Sequence, residues 1–106
     1  MTTAFTYRVD RNADHVTIHL AGEVDLAVAD RVESAIDEVL KGEDGVDITI
    51  DLDGVTFLDS TGLRVLVAAH GRCAREGRSL TLINPSTPVS RLLEITGLGQ
   101  TLLADS

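Results

Sequence analysis

The sequence predicts an α/β fold: one domain built on a mixed, mostly parallel sheet of four to five strands, with helices mainly on one face. Three observations carry the prediction. Four short segments alternate apolar and polar residues with period two, three others carry apolar residues at helical spacing, and after an opening pair of strands the two kinds take turns along the chain.

Phe5, Tyr7 and Val9 alternate with Thr6 and Arg8, and Val16, Ile18 and Leu20 alternate with His15, Thr17 and His19. The link Asn12-Ala13-Asp14 between them is short enough for a hairpin, so this pair is antiparallel. Over residues 28–40, Val28, Ala29, Val32, Ile36, Val39 and Leu40 form a helical stripe that Lys41-Gly42 stops. Val46, Ile48, Ile50 and Leu52 define a third strand, with Asp53-Gly54 read as the turn that ends it and residues 55–58 as a short apolar turn. Leu63, Leu66, Val67, His70, Cys73 and Ala74 line a second helix ending near Gly77, with His70 read as a packed histidine. Leu80 and Leu82 flank Thr81 in a fourth strand. Thr87-Pro88 opens a third helix, Val89, Leu92 and Leu93 line it, and Gly97 closes it. Crossovers between the later strands are right-handed and those strands parallel. Because every strand alternates instead of running apolar throughout, the helices belong on one face and water on the other.

A chain of 106 residues with 43% apolar content is large enough to bury the core of one domain. A net charge of −8 and a pI near 4.6 argue against nucleic acid or an anionic membrane surface as partner. The opening Met1-Thr-Thr-Ala-Phe lacks a basic start and a long apolar run, and no stretch approaches the roughly 20 apolar residues that span a bilayer. A cytoplasmic location follows as the expectation. Cys73 is the sole cysteine, which excludes an internal disulfide and a cysteine pair for zinc. His15 and His19, four apart on one strand face, are poor metal geometry and read as surface residues. No metal and no cofactor is expected.

The segment DLDGVTFLDSTG, residues 51–62, holds two possible chemistries. Asp51 and Asp53 resemble the D-x-D-G start of haloacid-dehalogenase-type phosphatases, in which an aspartate at a strand end attacks phosphorus. That catalysis needs a cation to offset phosphate charge and further carboxylates to hold magnesium, and no lysine or paired acidic loop follows Asp53. A hydrolase elbow fails too, since Leu58 stands where its glycine belongs. An enzyme is not expected. Ser60, by contrast, sits at the mouth of the second helix, at or next to its N-cap, where a hydroxyl stabilises by about 0.5–2 kcal/mol. Gly62 in the first helical turn points to a close approach to the backbone, and the helix N-terminus tolerates an anion on Ser60. Arg64, Arg72 and Arg75 fall in one sector of that helix and form a basic stripe on an acidic protein.

VTFLDSTGLRVLV, LAGEVDLAVAD (residues 20–30) and LTLINPSTPVSRLLEITGLGQTL (residues 80–102) together resemble the STAS domain family, in its stand-alone anti-anti-sigma form, over nearly the whole chain. The resemblance makes residues 1–106 a single STAS domain. It implies an anti-sigma factor antagonist whose unphosphorylated form binds an anti-sigma factor serine kinase, so releasing the sigma factor. Phosphorylation of Ser60 switches binding off, and a serine phosphatase resets it. By position the resemblance assigns Glu23, Asp25, Asp59, Ser60, Thr61 and Gly62 to the partner-binding surface. Arg64, where many members carry a small residue, joins them. The alternative within the family is a scaffold or transporter-accessory module without phosphoswitching.

Overall fold

Strand pairing sets the architecture. The computed structural model describes residues 4–42 and 46–103; residues 1–3, part of the opening segment discussed above, lie outside them. β1 (Thr6–Arg11), β2 (His15–Val24), β3 (Asp47–Leu58) and β4 (Leu80–Ile83) form one sheet in the order β1-β2-β3-β4. β1 runs antiparallel to β2, closed by the Asn12 amide donating to the His15 carbonyl at 2.8 Å, while β2, β3 and β4 are mutually parallel. α1 (Ala29–Gly42) and α2 (Ser60–Arg75) are the crossovers between the parallel strands, and α3 (Thr87–Thr96) and α4 (Gly99–Leu102) follow β4.

The alternation of β2 does what period two dictates. Val16, Ile18, Leu20 and Val24 are buried, and His15, Thr17, His19 and Glu23 between them are half-buried on the opposite face. The buried set shares one core with Ile48, Ile50 and Leu52 of β3, Val32, Ile36 and Val39 of α1, Leu63, Leu66 and Cys73 of α2, and Val89 and Leu93 of α3. The helices thus pack on one side. Each such aliphatic contributes about 1.5–3 kcal/mol on burial, so a one-residue slip of β2 that turned its inner row outward is strongly disfavoured.

Two sequence expectations need correcting. Asp53-Gly54 does not end β3, and residues 55–58 are not a turn: the strand continues to Leu58. Its pairing with β2 survives because the register shifts twice, between His19 and Ala21 and between Gly22 and Glu23, so that Ala21 faces Gly54 and Val24 faces Leu58. The second concerns the C-terminal segment, where the short helix α4 was not foreseen. Four residues carry too little periodicity to signal a helix; Leu102 is its buried residue. Gly97 closes α3 as expected, with φ 74° and the Leu98 amide returning to the Leu93 carbonyl at 3.1 Å.

Candidate functional site

The prolonged β3 delivers Asp59 to the end of β2, where its amide donates to the Val24 carbonyl at 3.2 Å. Asp59 has extended backbone, φ −98° and ψ −179°, and is the N-cap of α2. Its Oδ1 accepts from the Gly62 amide at 2.8 Å and its carbonyl from the Leu63 amide at 2.9 Å. Of the two positions the sequence allowed Ser60, at the cap or next to it, the second holds: the cap is Asp59, and a carboxylate at this end also meets the helix dipole favourably. Ser60 becomes the first residue of the helix, and it is exposed.

The other carboxylate oxygen of Asp59 reaches across to the β2–α1 loop and accepts from the Leu26 amide at 3.2 Å. Within that loop Asp25 Oδ1 accepts from the Ala27 amide at 3.0 Å and the Asp25 carbonyl from the Val28 amide at 3.1 Å. One side chain thus fastens the loop and starts the helix. Asp25 is half-buried, Thr61 likewise, and Glu23 lies at the end of β2 opposite Phe57. Glu23, Asp25, Asp59, Ser60 and Thr61 are thereby gathered at the ends of β2 and β3 and the start of α2.

Gly62 is buried, and the close approach expected there is made by the chain itself. A Cβ on Gly62 would stand 2.7 Å from the Val24 carbonyl oxygen, 2.8 Å from Leu58 Cδ1 and 2.9 Å from Val24 Cγ1. Glycine here lets α2 start against the end of β2. Arg64 is exposed one turn beyond Ser60, and Arg75 is exposed in the last turn. Arg72 is not part of a free basic stripe: it pairs with Asp37 of α1 and lies 3.6 Å from Glu76.

The helix-free face of the sheet carries a second polar arrangement that the sequence did not reveal. His19 Nδ1 lies 2.8 Å from Asp51 Oδ2 and its Nε2 2.9 Å from Asp10 Oδ2, joining three strands, and His15 Nε2 lies 2.6 Å from Thr49 Oγ1. Asp51 Oδ1 also accepts from the Asp53 amide at 3.0 Å and Asn84 Nδ2 at 3.1 Å. Burial pushes the Asp51 carboxyl up, but the Asp53 amide, Asn84 and His19 outweigh it and hold the group below its ordinary value. Asp51 is thus engaged by His19, Asn84 and the Asp53 amide in mid-strand, and not at the strand end that the phosphohydrolase reading requires. His70 is half-buried beside Ala74, Leu80 and Thr81, not packed in the core.

An α/β domain with a serine at the start of the helix after its third strand is the class this geometry defines. The family model described as "Mlab, STAS domain" matches residues 7–104, and the chain belongs to the STAS domain family. It is 40% identical over 89 residues to an anti-sigma-B factor antagonist of Listeria monocytogenes, covering 84% of this chain and 77% of that protein. With an anti-sigma-B factor antagonist of Bacillus subtilis it shares 37% identity over 90 residues, 85% of this chain and 81% of the relative. Among solved structures, an anti-sigma factor antagonist from Mycobacterium paratuberculosis superposes with a TM-score of 0.85 at 27% identity, over 97% of this chain and 87% of that one. The fold is shared as well with the antagonist SpoIIAA in its phosphorylated form, at a TM-score of 0.71 and 20% identity over 95% and 92% of the two chains.

Proposed function

We propose that this chain is an anti-sigma factor antagonist governed by phosphorylation of Ser60. Unmodified, it binds an anti-sigma factor serine kinase and frees the sigma factor; phosphorylated, it lets the kinase go, and a serine phosphatase restores it. The observation that carries the proposal is the exposure of Ser60 as the first residue of α2, with Asp59 capping the helix from the preceding position. The names of the bacterial relatives support the same reading, as does a structure of SpoIIAA bearing phosphate. The switch operates in the bacterial cytoplasm; among the described residues no helix is long and apolar enough to cross a membrane.

A phosphate adds about −1.5 to −2 charges and three acceptor oxygens. It would do so on a surface already carrying Asp59 and Asp25. The helix start tolerates the anion, but a partner that buries the serine must leave that charge unpaired, at about 3–5 kcal/mol or roughly two to four decades of affinity. Glu23, Asp25, Asp59, Thr61 and Arg64 form the surrounding contact surface, and buried Gly62 serves it by seating the helix.

Incubation with candidate anti-sigma kinases and ATP, with the phosphate mapped by mass spectrometry, tests the proposal. Modification is expected on Ser60 and absent from Ser60→Ala. Undiminished kinase binding by Ser60→Asp would overturn the switch and leave a scaffold module in its place.

A further inference from the structure

Four large apolar side chains are exposed among the described residues: Tyr7, Leu26, Phe57 and Ile95. Three of them lie on elements that lead to Ser60 or pack beside its strand. Leu26, 73% exposed, is held by its amide on Asp59. Phe57, 45% exposed, is the last residue but one of β3, three residues before Ser60, and Ile95, 83% exposed, shares a shallow apolar groove with Phe57, Leu58, Pro88 and Leu92, edged by Arg91. Val89 and Leu93 already fill the inner side of α3, so Ile95 adds nothing to the core.

We infer that the groove between Phe57 and Ile95 is a second docking site for the same kinase that recognises Ser60, receiving an apolar side chain of that partner with a carboxylate beside it to meet Arg91. The inference rests on the reading of Ser60 given above. A stable complex covers about 800 Å² on each partner, far more than one serine and its loop, and its affinity is concentrated in a few buried apolar anchors inside a polar rim. Around Ser60 itself Asp59, Asp25 and Glu23 supply rim, and exposed Leu26 on the adjoining loop supplies one apolar anchor of the few that such a complex needs. The groove starts at Phe57 and Leu58, immediately before the Asp59 cap, so a partner seated on Ser60 meets it without a gap in the sequence of β3. Arg91 is a cation on a chain of net charge −8, and it sets the sign of the group expected opposite it. The site therefore offers a determinant of kinase choice that phosphate does not touch.

The test is calorimetric binding of the nucleotide-loaded cognate anti-sigma kinase to wild type, Ile95→Glu, Arg91→Glu and Ser60→Asp, each checked for native circular dichroism. Ile95→Glu is expected to bind at least roughly tenfold more weakly, as loss of an anchor does, with Arg91→Glu weakened as well. Since both side chains are exposed, the fold is expected to persist. Wild-type binding together with unaltered Ile95→Glu and Arg91→Glu binding overturns the inference and leaves the Ser60 switch standing. Absence of wild-type binding overturns the Ser60 reading and this inference with it. Self-association of wild type that Ile95→Glu abolishes in sedimentation, with kinase affinity unaltered, would assign the groove to a second copy and overturn the inference.

Discussion

Asp59 and Leu26 stand 33 residues apart in sequence and are joined by one hydrogen bond of 3.2 Å, from a loop amide to the carboxylate that caps α2. The loop after β2 and the helix after β3 are consequently positioned by a single side chain, next to the exposed serine.

Replacing Asp59 by alanine removes both acceptors at once. The cap alone is worth about 0.5–2 kcal/mol. Asp59→Ala is therefore expected to lower the urea midpoint by at least that equivalent and to speed hydrogen exchange of the Leu26 amide. Asp59→Asn, which keeps an acceptor for Gly62, is expected to lose less. Equal midpoints for wild type and Asp59→Ala would contradict the double role.

Gly62 provides a prediction of sign. Helix propensity alone makes Gly→Ala in a helix stabilising by about 1 kcal/mol. Here the new methyl meets the Val24 carbonyl oxygen at 2.7 Å, a backbone atom that cannot swing aside. Gly62→Ala is expected to destabilise by about 1–3 kcal/mol. Gly42→Ala, where nothing lies within 4 Å of the added carbon, serves as the control and is expected to show no such loss. Chemical denaturation of the two variants side by side decides the matter.

Asp51 sets the acid side of the stability profile. Its folded carboxyl titrates below the ordinary value, so the unfolded chain binds more protons in that window and stability rises with pH through it. The contribution is complete above the ordinary carboxylate value of about 4 and is lost as pH falls through the folded one. Asn84→Ala deletes one of its donors. The variant is expected to be less stable than wild type near neutrality by a gap that narrows as the solution is acidified, leaving a pH-independent remainder because Asn84 has φ 56°, a conformation alanine adopts at a cost. Urea midpoints measured from pH 6 downward check this; parallel curves would refute it.

Cys73 is wholly buried, and burial raises its thiol above the usual range. A thiol reagent such as Ellman's is expected to leave the native protein unlabelled and to react fully once urea unfolds it. Rapid labelling of the folded chain would show that the second helix opens far more readily than its packing implies.

The layers were legible because burial on one face writes itself into the sequence. β2 could be read from Val16, Ile18 and Leu20, α1 from Val32, Ile36 and Val39, and the stop of α3 from Gly97. The outer part of β3 was not, because Asp53-Gly54 is a strong turn signal when its partner strand is unknown. Only pairing with Ala21 and Val24, through two register shifts, keeps it extended. Ser60 was placed within one position of its true role, since serine and aspartate are both good caps and their order in Asp59-Ser60 does not decide between them. The contacts of His19 with Asp10 and Asp51 depend on which strands are neighbours, information that no local pattern contains. Ile95 was passed over for a simpler reason: it falls off the apolar stripe of α3, and residues off a stripe are ordinarily solvent-facing.

The row of His15–Thr49 and His19–Asp51 contacts across the uncovered side of the sheet has a geometric corollary. One broad surface of this slab is roofed by helices and the other is tiled by its own polar pairs. Neither covering extends over Ser60, which stays exposed where β3 gives way to α2. Under the function proposed above, a covalent group added there would act on an edge that the fold itself leaves open.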